Sequence, residues 1–232
     1  MHKIPGAFAK VPAKTQFMPA VQNNNQVLFA DYNMVQAETR WIRNNNLFNA
    51  DEEALVNMFN NYFGGGMGAV VFQTIRESKA LAYSTFAVYV TPEKKTDPYY
   101  TIAYVGSQAD KFNEAVTAMN ELLNEIPEIP SNVEFARSGI KKDIETQRIT
   151  QDGIIFNFLD AELKGLTEDI RIKKYKAVDK IGYKELKDFH TKYVAAKPYT
   201  YAIVASENKL KMDDLKKMGE VKKLSLQEIF GY

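Results

Sequence analysis

The stretch Tyr62-Phe63-Gly64-Gly65-Gly66-Met67-Gly68-Ala69-Val70-Val71-Phe72-Gln73-Thr74-Ile75-Arg76-Glu77-Ser78-Lys79-Ala80-Leu81-Ala82-Tyr83-Ser84 changes its hydrophobic period twice. Just before it, Leu55, Met58, Phe59 and Tyr62 fall on one helical stripe. Asn49 can cap that helix, with Asp51, Glu52 and Glu53 set against the positive end of its dipole. The glycines stop it. A second helical pattern runs from Met67 to about Ser78, with Val70, Val71, Thr74 and Ile75 apolar, and ends at Ala80-Leu81-Ala82-Tyr83. There the period becomes two. Tyr83 to Thr91 and Tyr99 to Gly106 read as strands rich in Tyr, Val, Phe and Thr, joined by a charged loop between Pro92 and Pro98, which predicts a long hairpin.

Working outward, Pro5, Pro12 and Pro19 with the run Gln22-Asn23-Asn24-Asn25 exclude helix and interior strand. Residues 1–24 are therefore expected to be an extended lead-in, and residues 25–232 a single domain. Gln26 to Tyr32 and Met34 to Arg43 alternate as strands, with Val35, Ala37, Thr39 and Trp41 against Gln36, Glu38, Arg40 and Ile42, and suggest a hairpin turning at Asp31 to Asn33. Helices then dominate: Ala109 to Glu125, Ser131 to about Arg148 with a capping-box pair Ser131 and Glu134, Gly153 to Lys164, and Tyr183 to Ala195. Tyr199 to Ala205 returns as a buried strand, and a short helix is expected near Lys209 to Met218. The sum is α+β: a mostly antiparallel sheet of about five to six strands with helices packed on one face.

Thirty basic side chains against twenty-nine acidic ones leave a formal charge of +1 on 232 residues. No overall field attracts nucleic acid or anionic lipid. Cysteine is absent, which removes disulfides, thiolate metal sites and a cysteine nucleophile. No apolar run approaches the roughly 20 residues of a membrane span, and Met1-His2-Lys3-Ile4-Pro5 does not open a signal peptide. Neither a nucleic-acid nor a membrane partner is expected. His2 lies in the lead-in, and His190 has Val194 rather than a second ligand four residues on, so no helical zinc pair exists; His190 reads as a partly exposed structural residue. No Gly-x-Ser-x-Gly elbow is present. The carboxylates Asp51-Glu52-Glu53, Asp213-Asp214 and Glu162 read as solvated helix faces, and so do the lysine clusters at Arg171 to Lys176 and Lys209 to Lys223. Gly64-Gly65-Gly66 reads as a tight helix-to-helix turn, because the lysine and hydroxyl of a phosphate-binding loop do not follow it.

The run from the glycines to Tyr83 resembles the later domains of pitrilysin/insulinase-type peptidases and of the related mitochondrial processing and respiratory-complex core subunits. Those carry a glycine-rich turn, an amphipathic helix ending in Arg-Glu, and Gly-Leu-Ala-Tyr leading into a strand; here Ala80 stands at the commoner glycine. The likeness extends more weakly from about Gln26 to Ala205. It implies a C-terminal-type domain that binds no metal or other cofactor itself and is inactive alone. Its expected partner is a homologous domain, in the same or another chain, whose inverted His-x-x-Glu-His motif holds zinc. Together they would form a zinc metalloendopeptidase acting on peptide substrates. The family's arginine and tyrosine seven residues apart map onto Arg76 and Tyr83, which the resemblance makes auxiliary catalytic and substrate-binding residues, with Gly65 and Gly66 at the substrate backbone. Two such donors can stabilise a developing oxyanion. The other outcome the resemblance allows is a non-catalytic scaffold domain. Family habit points to the periplasm or cell envelope for a bacterial version.

Overall fold

Alternation in five of the strands decides which side of the sheet is covered. The structure, a computed structural model, describes Ala13 and Met18–Gly231. Its main elements are β1 (Gln26–Asp31), β2 (Gln36–Leu47), α1 (Glu53–Phe63), β3 (Ser84–Val90), β4 (Pro98–Gln108), α2 (Phe112–Asn124), α3 (Pro130–Thr146), α4 (Gln151–Leu163), α5 (Ile170–Ala177), α6 (Tyr183–Tyr193), β5 (Thr200–Ala205), α7 (Met212–Met218), β6 (Glu220–Lys223) and α8 (Leu226–Phe230). The strands form one sheet in the order β3-β4-β2-β5-β1-β6. Val27, Phe29, Ala37, Thr39, Trp41, Ala87, Tyr89, Tyr99, Ala103, Val105, Tyr201 and Ile203 point to the covered face and are buried. Their strand neighbours, such as Phe86, Ile102, Tyr104 and Ala202, are less buried on the opposite face. The covered face packs against α1, α2 and α6 through Met58, Phe59, Tyr62, Phe63, Met119, Leu186 and Phe189. Each fully buried side chain of this size contributes roughly 1.5–3 kcal/mol.

The α+β architecture with helices on one face agrees with the sequence, but the sheet is mixed. The β3–β4 hairpin forms as expected. The other hairpin does not: β1 and β2 are separated by β5, which runs parallel to β1 and antiparallel to β2. The cause lies in β1 itself, whose Val27 and Phe29 are fully buried and which takes neighbours on both sides, β5 on one and β6, also parallel, on the other. β6, Glu-Val-Lys-Lys, escaped the sequence reading because its charges are those of a solvated edge.

Three smaller expectations are corrected. The Ser131 and Glu134 capping box is replaced by Pro130 at the first turn after Ile129, and Glu134 pairs with Arg137 at 2.5 Å. His190 is buried, not partly exposed: it is 1% accessible and its Nε2 lies 3.0 Å from the Leu122 carbonyl. Glu53 leaves the solvated run Asp51-Glu52-Glu53 and is buried, accepting from Tyr99 (2.9 Å) and Thr91 (3.1 Å) while pairing with Lys174 at 3.1 Å. Partners drawn from three separate segments explain why the local run could not reveal this. Of the lead-in, Met18–Asn24 contains neither helix nor strand, and the remainder, Ala13 apart, lies outside the described residues.

Candidate functional site

The glycine turn is built by close approach. Gly64 lies so near strand β3 that a Cβ on it would sit 2.3 Å from the Ala87 carbonyl oxygen, and its own carbonyl accepts from the Ala87 N–H at 3.2 Å. Gly65 would meet the Asn60 carbonyl at 2.8 Å, whereas Gly66 faces open space. The Asn60 side chain completes the cover of this sheet edge: Nδ2 donates to the Tyr89 carbonyl (3.0 Å) and Oδ1 accepts from the Tyr89 N–H (2.8 Å). One amide thus substitutes for a neighbouring strand.

Beyond the turn, the expected helix contains a π-helical segment, Phe72–Ser78, which packs against β3. Widened turns of this kind recur at functional sites because they re-aim side chains. The Lys79 N–H closes the segment on the Thr74 carbonyl at 3.1 Å. The chain then turns at Ala80, whose φ of +49° lies in the left-handed region. Glycine enters that region freely, while an L-residue there costs roughly 1–2 kcal/mol. Lys111 Nζ donates to the Ala80 carbonyl at 3.1 Å and the Leu81 N–H to that of Ile75 at 3.0 Å, which fix the turn.

Arg76 projects from the π-helical segment with its side chain 45% exposed, its guanidinium 4.8 Å above the Phe72 ring and its Nε 3.9 Å from Glu77. Tyr83, 53% exposed, stands just before β3, its N–H donating to the Gly106 carbonyl at 2.9 Å and its phenol oxygen accepting from Gln108 Nε2 at 2.8 Å. With that oxygen engaged as an acceptor, the phenol hydrogen is free to donate outward. Both side chains are solvent-accessible; Tyr83 immediately precedes the edge strand β3, and Arg76 lies on the segment packed against it. No hydrogen bond joins them.

On the less covered sheet face near Tyr83 the structure adds residues that the sequence reading did not single out. Phe86 stacks on Tyr104 (centroids 5.2 Å apart), and Arg40 lies 5.5 Å over the Tyr104 ring. The Tyr104 hydroxyl donates to Glu38, and burial together with that carboxylate pushes its pKa up to about 12. Gly106 makes room, since a Cβ there would lie 2.6 Å from the Tyr104 hydroxyl. The available signal was the alternation of β2 and β4, which puts Glu38, Arg40 and Tyr104 on one face, but register across the pair was needed to join them.

Among the described residues, no group of three or more His, Cys, Asp or Glu side chains could hold a metal ion. His190 does not fit such a role: it is enclosed by Phe59 and Phe63 and bonded to a carbonyl, which only accepts, so its Nε2 carries the proton. No described helix is long and apolar enough to cross a membrane.

Similarity to solved structures is broad and distant. A peptidase M16 inactive domain from Pseudomonas fluorescens matches with a TM-score of 0.69 at 12% identity, over 86% of this chain and 48% of that one. A protease from Helicobacter pylori matches at 0.65 and 12%, over 84% and 48%. The periplasmic protease PqqL from Escherichia coli matches at 0.63 and 12%, over 88% and 23%. The chain therefore spans half or less of the length of these proteins, and at such identity they attest the fold alone. A comparison with curated protein sequences returns no match. The family model described as the peptidase M16 inactive domain matches residues 5–138, which include the glycine turn, Arg76 and Tyr83. On that match and this fold, the chain belongs to the peptidase M16 inactive-domain family.

Proposed function

We propose that this domain forms one wall of a peptide-cleaving chamber and supplies Arg76 and Tyr83 to a reaction whose zinc is held by a homologous partner domain. The observation that carries the reading is the pair's placement. Both donors are exposed, Tyr83 immediately precedes β3, Arg76 lies on the segment packed against that strand, and Gln108 leaves the Tyr83 hydroxyl free to donate. A guanidinium and a phenol aimed at a carbonyl oxygen would stabilise the negative charge that develops as the peptide bond is attacked. Gly66, with nothing near its Cβ position, leaves room for an extended substrate backbone beside them, and Gly65 adjoins it. The isolated chain cleaves nothing on this account. The description of one similar structure as a periplasmic protease supports placing the assembly in the periplasm.

The test is to combine the chain with the metal-bearing domain that accompanies it in its genome and measure peptide hydrolysis. Arg76→Ala and Tyr83→Phe are each expected to lower kcat by about 10²- to 10³-fold, the usual cost of one oxyanion donor. Unchanged rates in both variants would leave the domain a scaffold.

A further inference from the structure

Helix α4 is anchored by its caps and by almost nothing else. Thr150 accepts from the Gly153 N–H at 3.2 Å at its start. Gly165, at φ +66°, closes its end, with Gly165 N–H donating to Glu162 and Leu166 N–H to Ala161 at 2.9 and 2.8 Å. Its C-terminal end touches the β3–β4 loop where the Lys95 N–H donates to the Leu163 carbonyl at 3.1 Å. None of its residues is buried, yet Ile154, Ile155, Phe156, Phe158, Leu159 and Leu163 are all exposed, with Phe156 at 70%. At 100° per residue these six cover more than half of the helix circumference. An isolated helix of this length is marginal in water, and an apolar surface this wide belongs inside an interface.

From this we infer that α4 is the element by which the domain docks into its metal-bearing partner, inserting into an apolar groove whose rim carries lysine or arginine. The inference rests on the partner reading given under Proposed function and names the surface involved. Two observations select this occupant. Asp152 and Glu162 lie near the two ends of the apolar surface, have no ion-pair partner among the described residues, and meet no cation on the helix itself; Asp160 is neutralised by Lys164 just beyond it. These carboxylates oppose an anionic lipid surface, which attracts helices rich in lysine and arginine. In a twofold pairing of α4 with α4 they would also bring like charges together. Second, the similar structures from Pseudomonas fluorescens and Helicobacter pylori each contain about as much chain again beyond the matched half, room for a second domain of this size.

Association is measured by calorimetry between the full chain and the metal-bearing domain, alongside analytical ultracentrifugation of the chain alone and sedimentation with phosphatidylglycerol vesicles. The variants are Ile155→Glu/Phe158→Glu and Asp152→Lys/Glu162→Lys. Because the altered side chains are exposed, both variants should keep the melting temperature of the parent chain. The first is expected to weaken association about 100-fold, as loss of two apolar anchors does. The second should weaken it less and reverse its salt dependence. Parent-like affinity in the first variant overturns the inference while the turnover losses of the Arg76 and Tyr83 variants still support the functional reading. No association by the parent chain overturns that reading itself. Self-association abolished by the same substitutions, or binding to the vesicles, assigns the face to a second copy or to lipid and overturns the inference.

Discussion

His190 shows what a single side chain does here. Its ring is packed against Phe63 and bonded to the Leu122 carbonyl, and burial lowers its pKa from the usual 6.5. The unfolded chain therefore binds a proton more readily than the folded one, so stability rises with pH through this window. Its contribution is complete above about pH 6.5 and is lost progressively as the pH falls below that value. Denaturant melts across this range should show the acid-side loss in the parent and a flatter profile in His190→Gln; equal slopes would contradict the assignment. Ala80 acts through backbone rather than charge, holding a left-handed turn between Arg76 and Tyr83 at some steric cost. Its role was half legible in the sequence: a small residue in a break between helix and strand signals a turn, but the positive φ emerges only in the folded chain.

At the level of elements, the edge of β3 is the part most exposed to error. Unpaired edge strands invite association with other chains, and here Asn60 and Gly64 occupy the edge groups of Tyr89 and Ala87. Asn60→Asp keeps the acceptor for the Tyr89 N–H but turns a carboxylate oxygen on the Tyr89 carbonyl. A loss of about 1–3 kcal/mol is expected, with oligomers appearing in size-exclusion chromatography; an unchanged melt and a monomeric profile would show that the amide does not guard the edge. Elements with strong local signals were legible, namely the glycine turn, the β3–β4 hairpin, and helices α2, α4 and α6. The misread ones depend on distant partners. β5 enters between β1 and β2 from far along the chain, and Glu53 is buried by Thr91, Tyr99 and Lys174. No local window contains those residues.

Across the whole molecule, the features divide by face. One side of the sheet is filled by α1, α2 and α6, the opposite side keeps Phe86, Tyr104, Arg40 and Glu38 partly accessible, Tyr83 immediately precedes β3, and Arg76 lies on the segment packed against that strand. The candidate pair was legible because the motif is contiguous; the Gln108 contact that orients the Tyr83 hydroxyl, and the Tyr104 cluster, required strand register. The proposed role is completion of a partner's active centre by a domain that has no metal site among its described residues. Its most direct test is a titration of the metal-bearing domain with this chain, following hydrolysis of a fluorogenic peptide. The rate should be negligible for either component alone and should climb to a plateau as the two are combined. A rate that stays flat throughout the titration, or cleavage by this chain alone, would contradict it.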